Sequence, residues 1–502
     1  MRITNKMMTN NALHNIYNNK NLLSRLEQQY SSGKKITKPS DDPIVAVRAL
    51  KFRTNLSELN QYYEKNIPDA IAWMDVTESA LRTVNSIITS MNSYCNQGAN
   101  DYPSADDRNA IATNLEELRG QLYQEGNSNY AGRYVFSGYK TDTSLVFNKE
   151  TINLKYEITE PLQPASIDRV SKIINEVNLS EYDSEHPENW VAKMPTKVES
   201  YRMKLSYSNI EKNGIALTYT TKEGQTVTLD GTENENTIPR LVTKSVSDTG
   251  AYEAAEGTIN FIPETGELIL SETMYNTLRS SKNIKVDYVK DEFEINDLRP
   301  EHYFDCTVID TDHPEKGAIS YTKENQPIEY EVNFNQKLIV NTQGSDAFTT
   351  SIGRMVDEIV NAINDVKMVE DSMTEVDKML ENDSLTTSQR TKLEEIKEQL
   401  KSEFALKTTV MTEAFQRGIT ATEQEQELLN VATADLGGRY NRLQLTESRL
   451  SDQQAEFEDL LSDNEDTDLV ETIIKYSAAE TVYNSSLSAA SKLVQTSLLD
   501  FL

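Results

Sequence analysis

The sequence predicts a mainly α protein with a β-rich insert. Paired N- and C-terminal long helices form a coiled-coil core, and the insert is an outer domain. Three observations carry this reading. Apolar residues recur at alternating spacings of four and three near both ends of the chain, which is the seam of a heptad. Between about 141 and 345 the pattern changes to short alternating runs bounded by Gly, Pro, Asn and Asp, as strands and tight turns require. At 502 residues the chain is too long for one core, and an apolar fraction of 37% suits long helices with narrow stripes better than a thick globule.

Residues 5–32 read as an amphipathic helix. Ala12, Ile16, Leu23, Leu26 and Tyr30 line its seam, with Asn19 as a polar step. The many asparagines around Asn19 weaken the isolated helix, so it needs a partner. The stretch "SSGKKITKPSDDP", 31–43, is a stop, a turn and a start. Gly33 supplies a C-cap, Ser40, Asp41 and Asp42 are N-cap candidates, and Pro43 suits a first helical turn. Pro43 also biases Asp42 away from helical geometry, so the flanking helices cannot merge.

A second helix is expected from about 43 to 66, with Val47, Leu50, Leu56, Leu59 and Tyr63 inside, and Pro68 marks a break or a first turn. A third run carries Trp73, Thr77, Ala80, Val84, Ile87 and Met91, and Gly98 punctuates it. Ser104 with Asp107 resembles a capping box opening a helix over 105–125. In the insert, "KLSYS", "IALTYTT", "QTVTLDG", "GTINFI", "GELILS", "IKVDYV", "IEYEVNF" and "QKLIVN" read as strands.

Helix returns near 346. Ile352, Met355, Ile359, Ala362, Val366, Val369, Met373, Val376 and Leu380 form the longest stripe in the chain. Ser388 begins another helix, and a long run follows over roughly 420–461. "SDNEDTD", 462–468, breaks it, and Asp468 with Glu471 can cap the last helix. That helix shows Leu469, Ile473, Tyr476, Tyr483, Leu487, Ala490 and Val494 at positions compatible with a heptad. The expected segments are therefore 1–42 (assembly helix and loop), 43–140 (first part of the helical core), 141–345 (β-rich outer domain or domains), 346–462 (returning core helices) and 463–502 (C-terminal assembly helix). A lone amphipathic helix cannot bury its stripe. The two ends are expected to pair with each other and with copies from neighbouring chains.

The net charge of −30 argues against nonspecific nucleic-acid binding. Residues 1–40 carry seven basic residues against Glu27, a balance of +6, while 463–500 carry seven acidic residues against Lys475 and Lys492, a balance of −5. Opposite signs at opposite ends can attract. The start "MRITNKMMTN" lacks the apolar region of an ordinary secretory signal, and no apolar run approaches membrane-spanning length. Cys95 and Cys306 imply no disulfide framework. His14, His186, His302 and His313 have no metal-ligand spacing, and the phosphate-loop, nucleophile-elbow and zinc-protease patterns do not occur. No catalytic residue, cofactor or metal site is expected.

"SSGKKITKPSDDPIVAVRAL" resembles the N-terminal signature of bacterial flagellins and of their hook–filament junction relatives. "GRYVFSGYKTDT" and "DLGGRYNRLQLTESRL" resemble the junction branch more closely, and the final 34 residues are similar to the shared flagellin-type C-terminus. "DDPIVAVRAL" stands where flagellins usually have "DDAAG", which again favours the junction branch. The resemblance implies a flagellin-like fold and a structural, non-enzymatic subunit of the bacterial flagellum. It would assemble in a ring of copies between hook-associated protein 1 and flagellin. The terminal helices would be the interface, Gly33 to Pro43 the junction between them and the core. It further implies export without a cleaved signal peptide, a cytosolic export chaperone on the C-terminal helix, an extracellular location and no membrane insertion. Two other readings stand beside it: flagellin itself, and a secreted surface-binding protein on a helical stalk.

Overall fold

The computed structural model describes residues 5–100, 104–232, 237–313, 315 and 317–499. Their helices are α1 (Asn5–Ser32), α2 (Pro43–Gln61), α3 (Ile67–Asn100), α4 (Ala105–Glu125), α5 (Glu272–Arg279), α6 (Thr350–Leu380), α7 (Thr387–Glu465) and α8 (Leu469–Leu499). The strands are β1 (Asn129–Tyr130), β2 (Arg133–Tyr134), β3 (Leu154–Leu162), β4 (Asp168–Ile174), β5 (Thr196–Lys204), β6 (Ala216–Thr220), β7 (Thr226–Leu229), β8 (Arg240–Thr243), β9 (Thr258–Ile262), β10 (Glu267–Leu270), β11 (Lys282–Lys290), β12 (Asp305–Asp310), β13 (Ile319–Tyr321), β14 (Glu329–Asn333) and β15 (Gln336–Ile339). The chain forms two compact units, one of residues 1–71, 330–338 and 440–502, the other of 72–329 and 339–439. Their boundaries fall inside α3, α7 and the β14–β15 hairpin, so they cut across the five sequence segments.

In the first unit α2 turns an alanine-lined face inward. Ala46, Ala49, Leu59 and Tyr62 are buried, whereas Ile44, Val47 and Leu50 are exposed. This corrects the expectation that Val47 and Leu50 lie inside. Small side chains on the inner face bring α2 close to the end of α7, where Asn60 accepts from Gln454 at 3.1 Å and the Val45 carbonyl accepts from Asn464 at 3.1 Å. Pro68 stands in the first turn of α3, one of the two places expected for it, and the helix runs on through it. A π-helical turn, Tyr62–Asn66, precedes it, and the Ile67 N–H bonds the Tyr62 carbonyl. The wider turn accommodates a proline that has no N–H to give. Phe334, at the tip of the β14–β15 hairpin, sits edge-on to Tyr62 at 5.5 Å.

The second unit holds the insert and most of the helical core. A five-stranded sheet has the order β4-β5-β10-β9-β8, and a six-stranded sheet the order β13-β12-β3-β11-β6-β7. All their pairings are antiparallel except β8 with β9. Alternate residues of both sheets share one core, including Tyr156, Ile158, Leu217, Phe261, Leu268, Val286 and Tyr288, closed by Met274 and Leu278 of α5. Several strand predictions match β6, β7, β9, β10, β11, β14 and β15. "KLSYS" lies mostly beyond β5, and β3, β4, β8 and β12 are found only in the structure.

Around this sandwich α6 buries most of its predicted stripe, from Ile352 to Val376. Trp190, from a loop, joins Val369, Val376, Leu393, Ile396 and Leu400 in a separate cluster between α6 and α7. The helix expected from 388 and the one expected over 420–461 are a single 79-residue helix. Gly98 does not end α3. A Cβ there would lie within 2.6 Å of the Phe415 ring, so glycine makes room for a helix–helix contact. Arg202 of β5, with its side chain 2% exposed, anchors a buried ionic network. It donates to Asp168 at 2.9 Å, Glu267 at 2.6 Å and Glu358 at 2.8 Å.

Candidate assembly interface

The sequence-predicted site residues lie in the first unit, on α1, the following loop and α8. Gly33 adopts φ +70°, a left-handed conformation that glycine tolerates, and its N–H bonds the Gln29 carbonyl at 2.9 Å. The chain is then caught by the stretch between α7 and α8. The Gly33 carbonyl accepts from Thr467 N–H at 2.9 Å, and Lys35 N–H donates to the Glu465 carbonyl at 2.6 Å. Lys34 and Asp466 form an antiparallel bridge. The same two side chains pair at 2.5 Å, and buried Glu465 takes Arg53 of α2 at 2.6 Å and Lys34 at 3.4 Å. The bond from Lys34 holds the Asp466 carboxyl below its ordinary range, helped by the Ser462 hydroxyl, and the same bond raises Lys34. The opposite charges of the two ends thus meet at one latch.

Within the loop, the cap of α2 is Asp42 rather than Ser40 or Asp41. Asp42 Oδ1 accepts from the N–H groups of Ile44 at 3.0 Å and Val45 at 3.2 Å, with Pro43 in the first turn. Asp41 has another task. Its Oδ2 accepts from the N–H groups of Lys38 at 2.9 Å and Thr37 at 3.1 Å, which closes the turn and lowers its pKa. Ser40 is exposed.

Beyond the latch, α1 and α8 pack antiparallel. Asn19, the polar step in the α1 seam, donates to Ser486 Oγ at 2.8 Å. On α1 the seam is as expected at Ala12, Ile16, Leu23 and Leu26, of which Leu26 is buried, while Tyr30 is half exposed. On α8 it differs from expectation. The least exposed positions are Thr472, Tyr476, Ala479, Tyr483, Ser486 and Ala490. Tyr476, Tyr483 and Ala490 are the predicted residues among them. Leu469, Ile473 and Leu487 are not on the seam: they are 42–48% exposed and flank it. The side chain of Val494 lies outside the described residues. The α8 side of the seam is therefore two tyrosines set among Thr, Ala and Ser, and the aliphatic residues Leu469, Ile473 and Leu487 face outward with Val470, Ile474 and Val482. On α1, Met7, Met8, Leu13, Tyr17 and Leu22 are likewise exposed. Sequence periodicity finds the large apolar face, which is the outer one here. The weaker alternation of Thr, Ala and Ser at 472, 479 and 486 is the signal for the inner one.

Such a pair is marginal alone. It buries few large side chains, so it gains little from the hydrophobic effect. Contiguous exposed apolar surface marks an interaction site rather than an ordinary scatter of surface residues.

Other chemistry is sparse. Among the described residues no group of three or more His, Cys, Asp or Glu is placed to hold a metal ion, and no helix is long and apolar enough to cross a membrane. Burial pushes the His302 imidazole down to about 4, and its Nε2 lies 3.1 Å from the Ser144 carbonyl oxygen. Burial likewise pushes the Cys95 and Cys306 thiols up to about 12, so both are unreactive. A cleft of about 590 Å³ in the second unit is lined by intermixed cations and carboxylates, Arg202, Lys204, Glu358 and Arg417 among them. The three cations among these already bond Glu358.

Residues 3–141 match the bacterial flagellin N-terminal helical region. Flagellar hook-associated protein 3 of Salmonella typhimurium is 34% identical over 145 residues, which is 29% of this chain and 45% of that protein. A flagellin of Clostridium tyrobutyricum is 31% identical over 128 residues, 26% of this chain and 34% of that one. The chain thus spans about half the length, or less, of the curated relatives it matches. The solved structure of flagellar hook-associated protein-3 from Legionella pneumophila aligns with 82% of this chain and 97% of its own, at 11% identity and a TM-score of 0.32. Over residues 3–141 this chain is thus similar to the bacterial flagellin N-terminal helical region, and over 145 residues to flagellar hook-associated protein 3.

Proposed function

We propose that the chain is a structural subunit of the bacterial flagellum that joins the hook to the filament by self-assembly of its terminal helices. The observation that carries this is the outward apolar face of α1 and α8, left uncovered by the seam that joins them. A polymer subunit needs such a surface on its terminal helices to recognise the next copy. The N-terminal similarity to hook-associated protein 3 supports the junction over the filament. On this reading the partners are other copies in a ring, hook-associated protein 1 on one side and flagellin on the other. A cytosolic chaperone covers the C-terminal helix before export, and the location is extracellular. On this reading Ala12, Ile16, Leu23 and Leu26 of α1 with Tyr476, Tyr483 and Ala490 of α8 hold the two helices together, Tyr30, Leu469, Ile473 and Leu487 meet the next copy, Val494 continues the α8 stripe, and Gly33 to Pro43 join the pair to the core.

The test is genetic and direct. Cells lacking the gene are expected to make hooks and shed flagellin monomers into the medium, and the full-length chain restores attached filaments. Seeded polymerisation separates the flagellin alternative: a filament subunit elongates seeds of its own kind without limit, whereas a junction subunit stops after a short layer. A chain deleted over 150–335 that still assembles excludes the surface-binding reading.

A further inference from the structure

Asn213 and Gly214 are the only Asn-Gly pair in the chain, and they lie in the turn that leads into β6. The turn is held at both ends and free in the middle. On one side the Glu211 N–H donates to the Val289 carbonyl at 2.9 Å, and on the other Ile215 is buried. Between them Asn213 and Gly214 are exposed, and Gly214 takes φ +86°, which glycine tolerates. Among the described residues no hydrogen bond engages the Asn213 side chain or the Gly214 N–H. Gly214 also has no side chain to crowd its own nitrogen.

Asparagines followed by Ser or Asp are tied down instead. Asn127 Oδ1 accepts from the N–H groups of Leu145 at 2.9 Å and Val146 at 3.2 Å, and the next N–H, of Ser128, donates to the Glu125 carbonyl at 3.1 Å. Asn382 Oδ1 accepts from the N–H and the hydroxyl of Ser384 at 3.0 Å and 2.7 Å. After Asn296, the Asp297 N–H donates to the Glu294 carbonyl at 3.2 Å. Asn85, Asn92, Asn364 and Asn484 lie inside α3, α6 and α8, where the following N–H belongs to the helix ladder.

We propose that Asn213 is a site of spontaneous covalent modification, where the side-chain amide is lost and aspartate or isoaspartate is left. The Gly214 nitrogen gives up its proton to base and attacks Asn213 Cγ. A C–N bond forms, the bond from Cγ to the side-chain nitrogen breaks, and ammonia leaves with a proton taken from water. The product is a cyclic imide. Water then opens the ring. Cleavage at the side-chain carbonyl gives aspartate in the ordinary main chain; cleavage at the main-chain carbonyl gives isoaspartate, with one more methylene in the backbone. In sum an amide and a water become a carboxylic acid and ammonia, so neither an oxidant nor a second protein is needed. Because the turn is pinned at Glu211 and Ile215, the longer backbone of isoaspartate has to be absorbed between them.

The test incubates the full-length folded chain at mildly alkaline pH and follows its asparagine-containing peptides by mass spectrometry, with an isoaspartyl methyltransferase reporting the isoaspartate form. Asn213 is expected to lose its amide several-fold faster than Asn127, Asn296 or Asn382. Isoaspartate should accumulate in the same peptide, at a rate that rises with pH because the nucleophile is a deprotonated nitrogen. Asn213→Gln, whose longer side chain closes a ring far more slowly, should remove the signal and leave urea unfolding unchanged. Unfolding the chain in urea should speed the tied asparagines and change Asn213 little. An Asn213 that reacts no faster than the tied asparagines, or only in the unfolded chain, overturns the proposal. So does aspartate formed without isoaspartate at a rate indifferent to pH.

Discussion

Asn19 Nδ2 donates to Ser486 Oγ at 2.8 Å across the α1–α8 pair, and Ser486 Oγ also donates to the Val482 carbonyl within its own helix at 2.7 Å. A polar pair among the Ile, Leu, Ala and Tyr side chains of the seam fixes register at some cost in stability, since a slipped pairing leaves the amide without its partner. Antiparallel register follows from it: seven residues on from Asn19 is Leu26, seven back from Ser486 is Ala479, and both are buried. Asn19→Leu is expected to leave the pair as stable as before, or up to about 1 kcal/mol more stable, while losing its single register. A cysteine at position 26 reports this. With Asn19 present it links to a cysteine at 479; in the Asn19→Leu variant it links comparably to cysteines one heptad away, at 472 and 486. Unchanged selectivity for 479 would remove Asn19 from the role.

The latch between Lys34 and Asp466 should open at both extremes of pH. Asp466 is held below its ordinary 3.8, chiefly by the bond from Lys34, so its contribution is complete above that value and is lost as pH falls through the lower folded-state value. Lys34 is raised above its ordinary 10.5, chiefly by the bond to Asp466, so its contribution is complete below 10.5 and is lost as pH rises through the higher value. Between those limits the latch is insensitive to pH. Both side chains are 43% exposed, so solvent and salt weaken the pair. Amide exchange at Lys35 and Thr467, whose N–H groups make the backbone bonds of the latch, measures it directly. Both should exchange at a constant protection factor from about pH 5 to 8, well inside those limits, and Lys34→Met should lower that protection across the whole range.

Much of this arrangement was legible in the sequence where local chemistry decides it. The Gly33 stop, the Asp42–Pro43 start and the capping box of Ser104 with Asp107 all appear as read. The stripe of α6 does too, because nine well-spaced apolar residues leave only one face to bury. What escaped was set by distant partners. Strand β3 pairs β11 and β12 across more than a hundred residues, and β5 pairs β10 across a long excursion. The end of α7 reaches Glu465 through "SDNE" because Arg53 and Lys34 stabilise a carboxylate that sequence alone marks as a turn. On α8 and at the start of α2 the inner faces carry Ala, Thr and Ser in place of aliphatic residues, with Tyr476 and Tyr483 added on α8, so a reading that equates aliphatic residues with burial places Val47, Leu50, Leu469, Ile473 and Leu487 inside.

The ionic network of the second unit should be costly to break. Glu358 of α6 accepts from Arg202 at 2.8 Å, Lys204 at 2.5 Å and Arg417 at 2.5 Å and 2.8 Å. Burial alone would raise its pKa, but Lys204, Arg202 and Arg417 outweigh burial and hold it well below the usual 4.5. Glu358→Gln leaves those three cations without their shared counterion, and removing one partner of a buried pair costs about 3–5 kcal/mol. Urea unfolding at neutral pH should show that loss. The deficit should persist below pH 4.5 and shrink only as the wild-type carboxylate itself begins to protonate, because a depressed carboxyl keeps its contribution until pH falls through its folded-state value.

Leu487 and Ala479 stand two turns apart on α8 and separate assembly from folding. Ala479 is buried on the seam with α1; Leu487 is 42% exposed on the flank. A charge placed on a buried apolar position must be desolvated, whereas at an exposed position it stays in water until another chain arrives. Ala479→Asp is therefore expected to separate α1 from α8 in the monomer, seen as loss of amide protection over residues 12–30. Leu487→Asp should leave that protection, and the urea unfolding of the second unit, unchanged. In cells it should nevertheless abolish attached filaments, because the cost falls only when the flank is covered by a neighbour. Filaments on cells carrying Leu487→Asp would show that the outer face of α8 is bare in the assembled flagellum, and the interface would have to be sought on α1 and α2 alone.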